Sequence, residues 1–206
     1  MTQAAPVSDD PTRDRLIEAA AAVFAEKGYD GAGVQEIARR SGFTTGAIYG
    51  RFRGKAELLL AAIEARTTNE LEQLFADHRF EGRATDVLTT VGSHLLTDPF
   101  DAGQALLLEA FVAARRDPEV AELMRDLLHQ RATTFAALVE DAKASGLVAE
   151  ELDTEAVVRF CHAVGFGFLL FGAIDLQPPA AAPWEQLIAL LVGALGQPVD
   201  IQAPPA

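Results

Sequence analysis

The chain has 206 residues, half of them apolar and 23% charged, with a formal net charge of −13. That length can bury a good core, and that apolar content excludes an intrinsically disordered chain. The single cysteine, Cys161, excludes an internal disulfide framework and suits a reducing compartment.

In chain order, the Pro- and Ala-rich ends, residues 1–11 and 197–206, lack periodicity and read as disordered tails. Met1 to Pro6 shows no basic region followed by an apolar run, so no signal peptide is expected. The remainder is helical almost throughout, with no strand-like alternation and no internal repeat, which predicts an all-α chain of about nine helices. The first helix is expected to start on Thr12 as N-cap, with Leu16, Ala19, Ala20, Val23 and Phe24 on one stripe, and to end at Lys27-Gly28. A second covers about 34–40, stopped by Ser41-Gly42. A third follows Thr44 as cap to about Arg51, and a long fourth runs from Lys55 to about Asp77. Five more are placed near 84–97, 101–115, 118–145, 154–174 and 184–196. Asp117-Pro118-Glu119 is the strongest start signal: a capping acid, a proline at the first helical position, and an acid in the first turn.

The stretch from Val34 to Tyr49 carries the functional information. Two short helices at a steep angle, joined by a three- or four-residue turn, make a helix-turn-helix. Ala38 is small enough for close approach, Gly42 tolerates a left-handed turn, and Ile37, Phe43 and Ile48 can share a small core. The second helix would then set its N-terminal end in the major groove, where base edges are distinguishable. Net acidity runs against such a partner, because phosphate contacts need cations. Between Glu36 and Glu57, however, the balance is +3, which leaves −16 for the rest. A basic face on an acidic body binds DNA locally while the body is repelled.

These residues resemble the DNA-binding domain of the tetracycline-repressor (TetR) family of bacterial transcriptional regulators. The resemblance spans residues 12 to about 63. It rests on Ala19-Ala20 with Phe24, Gly28-Tyr29, Val34 with Ile37-Ala38, Ser41-Gly42, Thr45-Gly46, Ile48-Tyr49, Phe52, Lys55 and Leu58-Leu59. It implies a helix-turn-helix domain over 12–54 and a helical ligand-binding and dimerising domain over 55–196. It also implies DNA-contacting roles for Gln35, Thr44, Thr45, Gly46, Tyr49, Arg51 and Lys55, with Tyr49 and Lys55 as phosphate clamps. One departure is Ala32-Gly33 where the family usually places hydroxyl residues, which removes a hydroxyl cap at a few tenths of a kcal/mol. Gly46 and Gly50 weaken the third helix by about 1 kcal/mol each.

Two apolar segments close the chain. Residues 160–174 form an uncharged stretch of about 15 residues, short of the roughly 20 that span a membrane, so a core or interface helix is expected and no membrane partner. The helices near 154–174 and 184–196 are apolar nearly all round and must be buried all round. Pairing with a second copy achieves this, and Val164, Phe168, Phe171, Trp184, Leu187, Leu191 and Leu195 are the expected homodimer contacts. The family resemblance implies the same, together with a small-molecule effector in the helical body. Phe111, Met124, Phe135, Leu138, His162 and Phe166 would line an apolar pocket for a hydrophobic or amphipathic compound.

The expectation is a cytoplasmic, ligand-responsive repressor that binds a double-stranded palindromic operator as a homodimer, with no cofactor. An enzyme on a helical bundle is the first alternative. Its sequence support is poor: His78, His94, His129 and His162 lack metal-ligand spacing, and no nucleophile motif or phosphate loop is present. A helical adaptor that binds no DNA is the second.

Overall fold

The computed structural model describes residues 10–67 and 100–197, and every regular element among them is an α-helix. In chain order these are α1 Pro11–Gly31, α2 Val34–Ser41, α3 Thr45–Tyr49, α4 Lys55–Arg66, α5 Ala102–Ala114, α6 Pro118–Ala144, α7 Thr154–Gly172 and α8 Ala181–Leu195. The all-α expectation holds. The helix anticipated near 84–97 lies outside the described residues.

Several boundaries differ from the sequence reading: α3 stops at Tyr49 rather than about Arg51, α7 at Gly172 rather than 174, and α8 begins at Ala181 rather than 184. Three further differences have a local reason. Asp10, not Thr12, caps α1: its carboxylate accepts the backbone N–H groups of Thr12 at 3.0 Å and Arg13 at 3.2 Å, with Pro11 pre-set at the first helical position. Gly28 interrupts α1 at φ 67°, ψ 175°, and one more turn follows to Gly31. α4 ends at Arg66, where Thr67 turns extended at φ −94°, ψ 105°; the rest of the anticipated run to Asp77 lies outside the described residues.

The described residues fall into two compact units. The first holds residues 10–67 and 100–128. Its core takes Leu16, Val23 and Phe24 from α1, Ile37 from α2, Ile48 from α3, Leu58, Leu59 and Ile63 from α4, Leu106 from α5 and Val120 from α6, all essentially without solvent contact. Each burial contributes about 1.5–3 kcal/mol. α4 packs on α1 and α5, and α1 also packs on α2 and α5, so this core extends well beyond the three short helices. Gly103 permits the closest approach. A Cβ there would stand 2.5 Å from the Arg66 carbonyl oxygen.

The second unit includes residues 129–197. Phe135 and Val139 of α6 pack on Val157 and Val158 of α7. Phe168 of α7 meets Trp184 of α8 edge to face at 5.0 Å. The Ala149 N–H donates to the Leu195 carbonyl at 2.7 Å, which ties the α6–α7 connection to the end of α8. Only Val157, Val158 and Leu169 of α7 and Val192 of α8 are buried. α7 starts earlier than the uncharged stretch, at Thr154, and by length and composition is long and apolar enough to cross a membrane.

Candidate nucleic-acid interface

The turn between α2 and α3 is built from four cooperating residues. Gly42 takes φ 77°, ψ 18°, a left-handed conformation that glycine enters without a Cβ clash. The Phe43 N–H closes back onto the Ala38 carbonyl at 3.0 Å, and the Ser41 hydroxyl donates to the same carbonyl at 2.9 Å. Arg15 of α1 locks the turn from outside: Nη2 donates to the Ser41 carbonyl at 2.9 Å, and the guanidinium lies 4.9 Å from the Phe43 ring centroid.

This turn launches α3 with one face in and one face out. Thr44 caps it, its hydroxyl accepting the Ala47 N–H at 3.3 Å. Ile48 is completely buried while its neighbour Tyr49 is 60% exposed. Gln35, Thr44 and Gly46 are exposed as well, and Thr45 is half-buried. α2 begins on Gly33 without a side-chain cap, as the missing hydroxyl predicts.

The cations of this region are more engaged than their number suggests. Arg40 is held by Glu26 and Glu36, and Lys27 also pairs with Glu36. These partners hold both carboxyls below their usual range: Arg40 does so for Glu26, and Lys27 with Arg40 for Glu36. Lys55 donates from Nζ to the Tyr29 carbonyl at 2.7 Å and sits 4.1 Å from the Tyr29 ring centroid. Arg51 donates from Nε to Asp10 Oδ2 at 2.6 Å and from Nη2 to Asp10 Oδ1 at 3.3 Å. The guanidiniums of Arg39 and Arg53 are the open ones, each three-quarters exposed and, among the described residues, paired with a near neighbour in sequence, Glu36 at 3.8 Å and Glu57 at 3.3 Å. Sequence reading counted Arg39 and Arg53 as charge but did not single them out, and it missed Asp10. The signal for Asp10 was present: Asp-Pro at a helix start is a cap followed by its preferred first residue.

The anticipated pocket residues fall in different units. Phe135, Leu138, His162 and Phe166 belong to the second, where the His162 ring lies between Phe135 and Phe166 at 6.1 and 6.2 Å. Burial, with the nearby charges of Arg131 and Arg159, pushes the His162 imidazolium below its usual pKa. Phe111 and Met124 belong to the first unit, Phe111 half-buried and Met124 buried.

Of the anticipated dimer contacts, Phe171, Leu187 and Leu191 are 41–48% exposed, whereas Val164, Phe168, Trp184 and Leu195 are partly covered within the chain. Phe160, Leu170, Ile174 and Leu190 add further open apolar surface that the sequence reading did not name as contacts, Leu190 at 67%.

Comparison with known proteins agrees with this architecture. Residues 16–62 match the family model described as bacterial regulatory proteins, tetR family, and residues 85–191 match that of the tetracyclin repressor-like C-terminal domain. The chain is 26% identical over 195 residues to the HTH-type transcriptional regulator UidR of Escherichia coli K12, covering 90% of this chain and 93% of that protein. It is 29% identical over 191 residues to the HTH-type transcriptional regulator AqdR of Rhodococcus erythropolis, covering 93% and 89%. The solved structure of Salmonella enterica GusR superposes with a TM-score of 0.73 at 25% identity, covering 92% of this chain and 97% of that one. These relatives are regulators of transcription rather than enzymes. With both family models matched in order and the helix-turn-helix of α2 and α3 lying within the first, the chain belongs to the tetR family of bacterial transcriptional regulators.

Proposed function

We propose that this regulator is a cytoplasmic, ligand-responsive repressor that binds a palindromic operator as a homodimer and is released by a small hydrophobic or amphipathic effector. Residues 12–54 read DNA, and residues 55–196 bind the effector and dimerise. The observation that carries the reading is the division of α3, with Ile48 sealed in the core and Tyr49 beside it standing 60% exposed. An aromatic that size left in water on a helix that follows a helix-turn-helix turn is best used against a ligand backbone. Gln35, Thr44, Thr45 and Gly46 share the segment and supply groups for bases and sugar-phosphate. Lys55 contributes its charge from the start of α4, and Arg39 and Arg53 add open cations.

Dimerisation is supported by the apolar side chains that α7 and α8 leave in solvent, Phe160, Leu170, Phe171, Leu187, Leu190 and Leu191. Covering them with a second copy removes them from water and sets two reading heads on one duplex, with half-sites about one helical turn, roughly 34 Å, apart. The proposed effector site uses Phe135, Leu138, His162 and Phe166 of the second unit. A neutral His162 would offer one donor and one acceptor to a sparse polar group on the ligand.

The test is a mobility shift with duplex from the regulator's own upstream region. Binding should weaken steeply between about 50 and 200 mM salt, as phosphate neutralisation requires. No shift on that duplex at low salt would refute the reading.

A further inference from the structure

Arg51 stands just past the Gly50 cap of α3, and on sequence it was placed among the base- or backbone-contacting residues. Its guanidinium is committed elsewhere. Nε and Nη2 straddle the Asp10 carboxylate at 2.6 and 3.3 Å, and Nη1 turns back to the Ala47 carbonyl of α3 at 3.5 Å. The same carboxylate caps α1 through Thr12 and Arg13, and the Arg51 guanidinium, first, with these amides, holds its pKa below the usual range. One acidic side chain thus joins the beginning of α1 to the end of α3, 41 residues apart.

α3 needs such an anchor. It has five residues, contains Gly46, and stops on Gly50, so its intrinsic helix stability is low. Its C-terminal end is held by three backbone hydrogen bonds, from Gly50 to Gly46, Arg51 to Ile48 and Phe52 to Ile48. The two-pronged Asp10 contact fixes Arg51, the residue through which that ladder passes.

We propose that Asp10 and Arg51 form a clamp that positions the recognition helix, and that Arg51 serves operator recognition as a positioning residue rather than a base reader. The proposal rests on the DNA-binding reading and makes a prediction opposite to simple electrostatics. Removing an acid beside a DNA-binding face ordinarily strengthens binding. Removing this one weakens it, because a loosened α3 must be re-ordered on the duplex.

The experiment uses the full chain and the duplex it retains from a random-sequence library. Affinities are compared by fluorescence anisotropy for wild type, Asp10→Asn, Arg51→Lys, Arg51→Ala and the Asp10→Asn/Arg51→Ala pair. Asparagine still caps α1, so the change isolates the clamp. Asp10→Asn should bind the selected duplex about threefold more weakly, Arg51→Lys should lose a similar factor although it keeps its charge, and the pair should be no weaker than Arg51→Ala alone. Tighter binding by Asp10→Asn, or losses that simply multiply in the pair, would overturn the clamp and return Arg51 to direct contact. A second readout needs no DNA: in the free protein, amide exchange at Gly50, Arg51 and Phe52 should accelerate several-fold in Asp10→Asn. Unchanged exchange there would overturn the clamp by itself. Accelerated exchange with no duplex retained would overturn the recognition role and the DNA-binding reading beneath it.

Discussion

The Tyr29 hydroxyl donates to Asp117 Oδ2 at 2.7 Å, a bond that links the last turn of α1 to the cap of α6 across 88 residues of sequence. Every polar atom of Tyr29 is used. Its N–H donates to Glu109 of α5 at 2.6 Å, and its carbonyl accepts the Lys55 ammonium. The residue is only 4% exposed, and a buried polar group without partners would be costly. Gly28 makes room: its positive φ kinks α1 just before Tyr29, and a Cβ there would stand 2.9 Å from Glu109 Oε1. Four helices of the first unit therefore meet on one side chain.

Replacing Tyr29 by Phe keeps the ring under Lys55 and removes only the hydroxyl. The Asp117 carboxylate loses a donor but keeps the Glu119 and Val120 amides. The expected cost is about 1 kcal/mol, read as a lower urea midpoint at unchanged slope. A shift below a few tenths of a kcal/mol would show that the bond contributes nothing to the fold.

The same contact sets a pH dependence. The Tyr29 hydroxyl, and after it the two amides, hold the Asp117 carboxyl below its usual value against the opposing effect of burial. A carboxyl depressed in the folded state contributes stability that is complete above its unfolded pKa, about 3.9, and is lost as pH falls through the lower folded value. Wild type should therefore lose more stability than Asp117→Asn between pH 5 and about pH 2.5 in urea titrations. Parallel curves would contradict this.

Gly103 should not tolerate alanine. Its missing Cβ leaves space for the Arg66 carbonyl, so Gly103→Ala forces α5 away from the end of α4 and should cost about 1–3 kcal/mol. The gain in helix propensity, at most about 1 kcal/mol, does not offset it. Calorimetry should show a drop in Tm of several degrees; a rise would mean that the approach relaxes freely.

Tyr49→Ala separates reading from folding. Because Tyr49 is exposed, stability should change by less than about 0.5 kcal/mol, while affinity for the selected duplex should fall about tenfold. An unchanged affinity would remove Tyr49 from the interface.

Leu190→Glu addresses the dimer. If the proposed dimer forms through this open apolar face, a charge there should give monomer in sedimentation velocity, where wild type gives dimer, and leave helical content near wild type. A dimer that survives the charge would place the interface elsewhere.

Much of the architecture was legible in the residues. The turn at Ser41-Gly42, the Thr44 cap and the buried Ile37 and Ile48 all follow from local rules, because a cap, a left-handed glycine and a 3.6-residue stripe act within a few positions of one another; the open Tyr49 was anticipated through the family resemblance. The Pro118 start of α6 is of the same local kind, as is the all-helical class, whereas α7 stops at Gly172, short of the 174 expected. The start of α1 was misjudged only because two good caps, Asp10 and Thr12, stand two residues apart.

What tertiary structure alone decided is where the charges go. Arg51 and Lys55 looked on sequence like groups free to meet a ligand, and Tyr29 had no role beyond marking the family resemblance. Their real partners are Asp10, the Tyr29 carbonyl, Glu109 and Asp117, up to 88 residues distant. A composition or a period cannot disclose such pairs, since hydrogen bonds and ion pairs act over a few ångströms in space and are indifferent to separation along the chain. Periodicity determined which faces are buried; only packing determined which cations remain open to a partner.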